Sequence, residues 1–175
     1  LALRTRWNGL RIAEELRDQL RAEDRITVVG NGPKFQFVPS NPWLAVNWRK
    51  REQIEFEVGP YLAKKNIAFN PAGAKRLHPE RNQIELNDGT AIDYDYLVIA
   101  TGPRLAFEEV EGTGPDAHTQ SICQIDHAAK AAMAWEAFVK DPGPIMVGAV
   151  QGASCFGPAY EFAFIMETDL RRRKI

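Results

Sequence analysis

Residues 8–33, NGLRIAEELRDQLRAEDRITVVGNGP, decide the fold class of this chain. Asn8 is a residue type that favours the N-cap of a helix. The apolar positions behind it recur at helical spacing and are Leu10, Ala13, Leu16 and Leu20. The β-branched run Arg25–Val29 then predicts a short strand that Gly30-Asn31-Gly32 ends. A helix followed closely by a buried strand is typical of the second half of a β-α-β unit, so the sequence predicts an α/β protein.

A continuous apolar strand is predicted for Tyr96–Ala100, as in a buried parallel sheet, and it runs into Thr101-Gly102. Small residues at the carboxyl end of such a strand leave room for a ligand. The sequence Ala-Thr-Gly after a strand also forms ordinary turns. Asn87–Thr90 predicts a hairpin turn. Arg51–Lys65 is predicted as a helix interrupted at Gly59-Pro60.

The last part of the chain predicts a second α/β element. Asp126–Val139 is alanine-rich and predicts a helix, Pro144–Val147 predicts a strand, and a helix begins near Pro158. The predicted organisation is therefore a partial α/β domain over 1–103, which the resemblance described below identifies as the FAD-binding domain, a connection with a helix over 104–142, and an opening strand-turn-helix of a second α/β domain over 143–175.

Composition excludes several classes of protein. The chain has 175 residues with 22 basic and 23 acidic side chains, a net charge of −1, so nothing indicates a nucleic-acid partner. No run approaches the roughly 18 apolar residues of a membrane helix, and no signal peptide is visible. Because the chain starts at Leu1 and enters charged residues at once, we expect an internal piece of a longer protein.

Gly148–Gly157 places Cys155 between a predicted strand and a predicted helix. A cysteine beside a helix N-terminus lies in a positive field that favours its reactive thiolate form. The pattern alone leaves two interpretations open, a nucleophile or a small buried hydrophobic residue. Cys123 precedes another helix, and pattern alone favours a structural role for it. The two cysteines fit no zinc spacing, and no metal site is predicted.

Three segments resemble bacterial sulfide:quinone oxidoreductases. They are FQFVPSNPW at 35–43, YDYLVIATG at 94–102 and CFGPAYEF at 155–162. The middle motif is shared by many flavoproteins of the disulfide reductase type, whereas the outer two are more specific. The resemblance covers nearly all of the chain in the same order, and the spacing of Cys123 and Cys155 is similar to that of the family's first two cysteines.

The resemblance implies a Rossmann-like FAD/NAD(P)-binding fold with FAD across the first domain. Gly30 and Asn31 are implied near the adenosine ribose, where the family often has Ser-Asn. Ala74 is implied near the adenine. The remaining implied contacts are Ser40, Asn41 and Pro42 toward the flavin, and Thr101 and Gly102 toward the pyrophosphate or ribityl chain.

The implied reaction is oxidation of sulfide at cysteines beside the flavin, with quinone as the electron acceptor. Cys155 would carry the sulfur and Cys123 would release or relay it. The parent enzyme is expected to lie on the surface of the bacterial cytoplasmic membrane through a C-terminal part that this sequence lacks. The chain by itself is expected to be soluble or of unknown location.

The first strand of the family and its G-x-G-x-x-G turn are also absent, so the predicted fold is incomplete. We therefore expect the chain alone to bind FAD weakly or not at all and to lack turnover. An uncovered apolar sheet edge favours dimerisation or lowers solubility, and a homo-oligomer is one predicted outcome.

Two other functions remain open at the level of sequence. One is the flavoprotein subunit of a flavocytochrome c sulfide dehydrogenase, which passes electrons to haem. The other is a non-catalytic remnant that at most binds a nucleotide. A type II NADH dehydrogenase is disfavoured, because the glycines at 148, 152 and 157 do not match a dinucleotide fingerprint.

Overall fold

The computed structural model describes residues 7–153 and 156–175, without the side chain of Trp7. Numbered along the whole chain, the helices are α1 (Trp7–Gln19), α2 (Asn41–Ala45), α3 (Gly59–Ala63), α4 (Ile125–Phe138) and α5 (Gly157–Arg173). The strands are β1 (Thr27–Val29), β2 (Lys34–Gln36), β3 (Glu55–Glu57), β4 (Ala68–Asn70), β5 (Ala74–His78), β6 (Gln83–Leu86) and β7 (Ala91–Asp93). Short 3-10 turns occupy Val38–Ser40, Arg51–Gln53, Pro79–Arg81 and Phe107–Glu109.

The described residues form two compact units. The first contains the chain up to Gln36 together with Glu55–Arg104, and the second contains Phe37–Ile54 and the chain from Leu105 onward. Phe37–Ile54, which the sequence-based division assigns to the first domain, thus packs with the helices that follow residue 105. The functional division at 103 and 142 stays a prediction.

The first unit is built on a parallel pair of strands. β1 and β4 pair in register from Thr27 opposite Ala68 to Val29 opposite Asn70. α1 and α3 cover this pair with a core of buried apolar side chains, namely Leu10, Ala13, Ile26, Val28, Phe35, Val58, Leu62 and Ile67. The first helix and the strand behind it are therefore confirmed, with Leu10, Ala13 and Leu16 on the apolar face. The prediction is wrong at the helix ends, because Asn8 lies inside α1 and Leu20 is exposed beyond it.

A three-stranded antiparallel sheet, β5-β6-β7, completes the first unit. The predicted hairpin turn lies between β6 and β7, where Gly89 has a φ of +83°. Ile84 and Leu86 of β6 point into a small core with Val29. Asp-Gly produces this turn because glycine adopts positive φ without steric cost.

Three of the predicted secondary-structure elements are wrong. Tyr96–Ala100 and Pro144–Val147 are not strands, since no described strand pairs with either segment. A strand needs a hydrogen-bonded neighbour, and without one Ile99 is 66% exposed and Met146 97% exposed. The first half of the helix predicted over Arg51–Lys65 is replaced by a 3-10 turn and by β3, which pairs antiparallel with β2, whereas Gly59–Ala63 is helical as α3.

The second unit is helical. α2 packs against α4 and α5. One core cluster joins α2 to α4 through Leu44, Ala45, Ile125, Ala128 and Ala131, together with Ile54. The helices predicted from Asp126 and Pro158 are confirmed as α4 and α5. Within residues 7–153 and 156–175, no helix is both long and apolar enough to cross a bilayer.

Candidate functional site

The carboxyl end of β1 brings three of the predicted nucleotide-binding residues together. Gly30 is buried, and its N–H donates to the carbonyl of Asn70 at 2.8 Å. Asn31 forms a β-bridge with Ala72, two residues before Ala74 at the start of β5. Asn31 and Ala74 are both exposed. The structure therefore places Gly30, Asn31 and Ala74 around one edge of the β1–β4 pair, where ligands of α/β proteins bind.

Gly73 is the residue that allows this close approach. Its φ is +78°, and a Cβ there would lie 2.7 Å from Nδ2 of Asn87 and 3.1 Å from Oδ1 of Asn31. Asn87 fixes the bend from the other side, because its Nδ2 donates to the carbonyl of Ala72 at 2.9 Å. Neither Gly73 nor Asn87 was predicted as part of the site, and Asn87 was predicted only as the first residue of a hairpin turn. A Pro-Ala-Gly run between two predicted strands was the available signal.

We expect Gly73→Ala to destabilise the first unit by about 2–3 kcal/mol, because it adds a steric clash to a left-handed backbone. Gly89→Ala is the matched control: its φ is +83°, but no described neighbour lies within 4 Å of the added Cβ. The control should lose only the conformational term, about 1 kcal/mol. Urea denaturation followed by circular dichroism measures both losses. Equal losses would show that the contact with Asn31 and Asn87 has no energetic weight.

Thr101 and Gly102 also belong to the first unit and are exposed. Gly102 has a φ of +66°, so the chain turns sharply after Ala100 in a conformation that glycine adopts freely. Val98 and Ala100 pack against the α1–β1 core and hold the segment before this turn. Backbone that turns in this way presents its amide groups closely to a ligand.

In the second unit, Ser40, Asn41 and Pro42 form the junction of a 3-10 turn and α2. All three are buried, and Asn41 is 0% exposed. Nδ2 of Asn41 donates to the carbonyl of Ile122 at 2.9 Å. Oδ1 of Asn41 is buried, and no donor among the described residues reaches it. An amide oxygen in this condition has a desolvation cost that a ligand with an N–H or O–H group would remove.

The contact between Asn41 and Ile122 brings Asn41, predicted to approach the flavin, close in space to the loop of Cys123. Cys123 follows Ile122 directly and is exposed. Its N–H donates to Oγ of Ser121 at 3.2 Å. Ile122 itself packs against the core shared by α2 and α4. Cys123 is thus a solvent-accessible thiol on a loop that Asn41 holds from the side of α2.

Cys155, the predicted nucleophile, lies outside the described residues, as does Ser154. In sequence it precedes Gly157, the first residue of α5, by two positions. The remaining predicted site residues are divided between the two units, with Gly30, Asn31, Ala74, Thr101 and Gly102 in the first and Ser40, Asn41, Pro42 and Cys123 in the second. No group of three His, Cys, Asp or Glu side chains in the described part of the chain could hold a metal ion.

A buried carboxylate in the second unit was missed by the sequence analysis. Asp169 of α5 is 5% exposed. Its Oδ1 accepts from Nε1 of Trp48 at 2.7 Å, and its Oδ2 accepts from Nε1 of Trp135 and from Nε of Arg173, each at 2.7 Å. Burial raises the pKa of Asp169, but the indole donors and Arg173 outweigh it, and the net pKa lies below the usual value.

Glu136 extends this network on α4. It accepts from Arg173 at 2.8 Å and from Nδ2 of Asn47 at 2.9 Å, and these two donors lower its pKa. A signal for the network exists in the sequence. Asp169 falls on the apolar face of its helix, at helical spacing from Phe162, Ile165 and Met166.

Comparison with known proteins gives a consistent result. The chain is 40% identical to sulfide-quinone reductase of Aquifex aeolicus (strain VF5) over 167 residues, which are 95% of this chain and 38% of that protein. The crystal structure of sulfide:quinone oxidoreductase from Aquifex aeolicus matches with a TM-score of 0.88 and 37% identity, covering 98% of this chain and 39% of the other. The resemblance drawn from the three sequence motifs is confirmed.

More distant structures agree on the fold. A NAD-dependent persulfide reductase from A. fulgidus matches with a TM-score of 0.62 and 24% identity, covering 78% of this chain and 27% of the other. The predicted Rossmann-like FAD/NAD(P)-binding α/β class is confirmed, and its sheets here are small, as expected of an incomplete sheet. No protein-family model matches the chain. The chain spans less than two fifths of the length of the Aquifex sulfide-quinone reductase that it matches.

Proposed function

We propose that this chain is part of an FAD-dependent enzyme that oxidises sulfide and passes the electrons to quinone. The observation that carries the proposal is the similarity to the Aquifex reductase along 95% of the chain. The buried Oδ1 of Asn41, which no described donor reaches, supports a ligand on this side of α2. The backbone turn at Gly102 supports a contact with a ligand in the first unit.

The residues present fit a flavin dinucleotide. Gly30, Asn31 and Ala74 would hold its adenosine end, because the buried Gly30 and the tight bend at Gly73 leave an open edge beside β1. Thr101 and Gly102 would bind the pyrophosphate or the ribityl chain. Ser40, Asn41 and Pro42 would approach the flavin, with Asn41 Oδ1 as an acceptor for an N–H or O–H donor.

FAD, when bound, takes up an electron pair and passes it on. The protein supplies the sulfur-binding groups. A hydrosulfide ion would give up two electrons and a proton as its sulfur forms an S–S bond with a cysteine thiolate, and quinone would gain two electrons and two protons. Cys155 would hold that sulfur, since its place before α5 favours the thiolate. Cys123 would relay or release it, and its exposure makes the thiol accessible.

Quinones partition into membranes, so we propose that the complete enzyme works at the surface of the bacterial cytoplasmic membrane. In this proposal the membrane contact belongs to the C-terminal part of the complete enzyme. A homo-oligomer remains a prediction, and Ile99 and Tyr96, which are 66% and 81% exposed, are the apolar surface that it would cover in the first unit.

The test uses the complete protein that carries this sequence. After purification with FAD, anaerobic sulfide should bleach the flavin absorbance, and a soluble quinone should restore it. Cytochrome c as the preferred acceptor would favour the flavocytochrome c type of enzyme instead. A protein that binds FAD stoichiometrically but is not reduced by sulfide would overturn the proposal, and a protein that binds no FAD would favour a non-catalytic remnant.

A further inference from the structure

Two of the predicted functional residues of the second unit lie at the starts of helices, and Cys155 precedes a third helix in sequence, outside the described residues. Asn41 is the first residue of α2, Cys123 precedes α4 by two residues, and Cys155 precedes α5 by two residues. Asn41 and Cys123 thus lie at or just before the N-termini of α2 and α4.

The opposite ends of the same helices meet at Asp169. Trp48 follows α2 by three residues, Trp135 lies in the last turn of α4, and Asp169 lies in the last turns of α5. Both indole N–H groups donate to the Asp169 carboxylate, one to each oxygen, at 2.7 Å. Arg173 then joins Asp169 to Glu136 of α4.

We propose that Asp169 is a positioning residue for the sulfur chemistry, acting through the helices rather than by contact with substrate. A carboxylate supplies two oxygens that accept from donors on two other segments, and an apolar side chain supplies none. Apolar contacts among Val46, Ile165 and Met166 also hold these segments together, but hydrophobic burial has no directional preference. The hydrogen bonds to Asp169 are directional. They therefore fix the angles between the helices at the end where Asp169 lies.

The lengths of the helices make that angle important. About 18 Å of helix separates Asp169 from the start of α5, so a rotation of about 5° moves that start by about 1.5 Å. A displacement of about 1 Å in a reacting group costs up to about 100-fold in rate. This consequence rests on the proposed roles of Cys123 and Cys155, whereas the positioning of the helices does not.

The test measures the distance between two helix starts in the full chain. Spin labels are placed on Cys123, which is exposed, and on Tyr160→Cys in the first turn of α5, where Tyr160 is 67% exposed. A Cys155→Ser background keeps the labelling specific. Double electron–electron resonance then gives the distance distribution in the presence of native Asp169, of Asp169→Asn and of Glu167→Gln.

Asp169→Asn keeps the shape of the side chain but leaves one acceptor oxygen for three donors. We expect its distance distribution to shift or broaden by at least about 2 Å, because one indole or Arg173 must turn away. Glu167→Gln is the control on the same helix, since Glu167 is half exposed and pairs only with Arg171 among the described residues. Its distribution should match that of the parent.

Stability and positioning are separated by making every measurement where urea titration shows the variant to be fully folded. A narrow, unshifted distribution in Asp169→Asn, with lowered stability, would overturn the positioning role. If Asp169→Asn does not fold, Trp48→Phe removes one donor and leaves Trp135 and Arg173 in place. An unshifted distribution in that variant would overturn the proposal equally. Neither result depends on whether the protein oxidises sulfide.

Discussion

Cys155→Ser is expected to lower sulfide-dependent quinone reduction by about 1,000-fold or more in the complete protein, because the reaction would lose the group that we propose binds the sulfur. Serine is close in size, but its hydroxyl is a much weaker nucleophile toward sulfur than a cysteine thiolate. The measurement is the initial rate of quinone reduction under saturating sulfide, without oxygen.

The controls for this variant separate chemistry from binding. FAD content should remain stoichiometric, since no predicted flavin contact is altered. Cys123→Ser should behave differently: the first reduction of the flavin by sulfide persists in a single turnover, while repeated turnover slows because sulfur is not released. Wild-type rates in Cys155→Ser would remove this thiol from the mechanism. Equal loss of the first reduction in both variants would show that the two cysteines act as one unit.

The elements that could be predicted from sequence are those whose signal is local. α1, α4 and α5 each carry a helical apolar repeat, and Asp88-Gly89 fixes its hairpin through backbone conformation alone. The parts that failed depend on partners distant in sequence. Tyr96–Ala100 has the composition of a buried strand, but no described strand pairs with it. Glu55–Glu57 became a strand because β2 lies beside it, which no local pattern indicates.

The candidate site also contains some residues that could be predicted from sequence and some contacts that could not. The family resemblance implied Gly30, Asn31 and Ala74, and the structure gathers them at the end of β1 through the bridge between Asn31 and Ala72. The contact of Asn41 with the carbonyl before Cys123 joins residues 81 positions apart and has no sequence signature. Asp169 was missed because a single acidic residue in a helix is usually solvated. Only its place on the apolar face distinguishes it from Glu167.

Removing the Asp169 carboxylate is expected to have the largest effect on stability. Asp169→Ala leaves the indole N–H groups of Trp48 and Trp135 without their acceptor and Arg173 without its buried partner. Breaking a buried charged pair in this way costs about 3–5 kcal/mol. Asp126→Ala is the matched control, since the ion pair of Asp126 with Arg51 is exposed at the surface, and it should cost at most about 1 kcal/mol.

The pH dependence of this loss has a defined sign. The pKa of Asp169 in the folded chain lies below its usual value, because the donors from Trp48, Trp135 and Arg173 outweigh the effect of burial. A carboxylate with a lowered folded-state pKa stabilises the fold fully above its unfolded pKa of about 4 and loses that contribution as the pH falls through the folded value. The difference between parent and Asp169→Ala should therefore be largest near neutral pH and shrink below pH 4.

Tryptophan fluorescence monitors the unfolding of this region in urea, since Trp48 and Trp135 are the donors to Asp169. Urea titrations at neutral pH and in acid, monitored by fluorescence, should show the two midpoints converging as the pH is lowered. Asp126→Ala should track the parent at both pH values. A gap between parent and Asp169→Ala that stays constant down to acid would mean that apolar packing, and not the ionised carboxylate, holds α5 to Trp48 and Trp135.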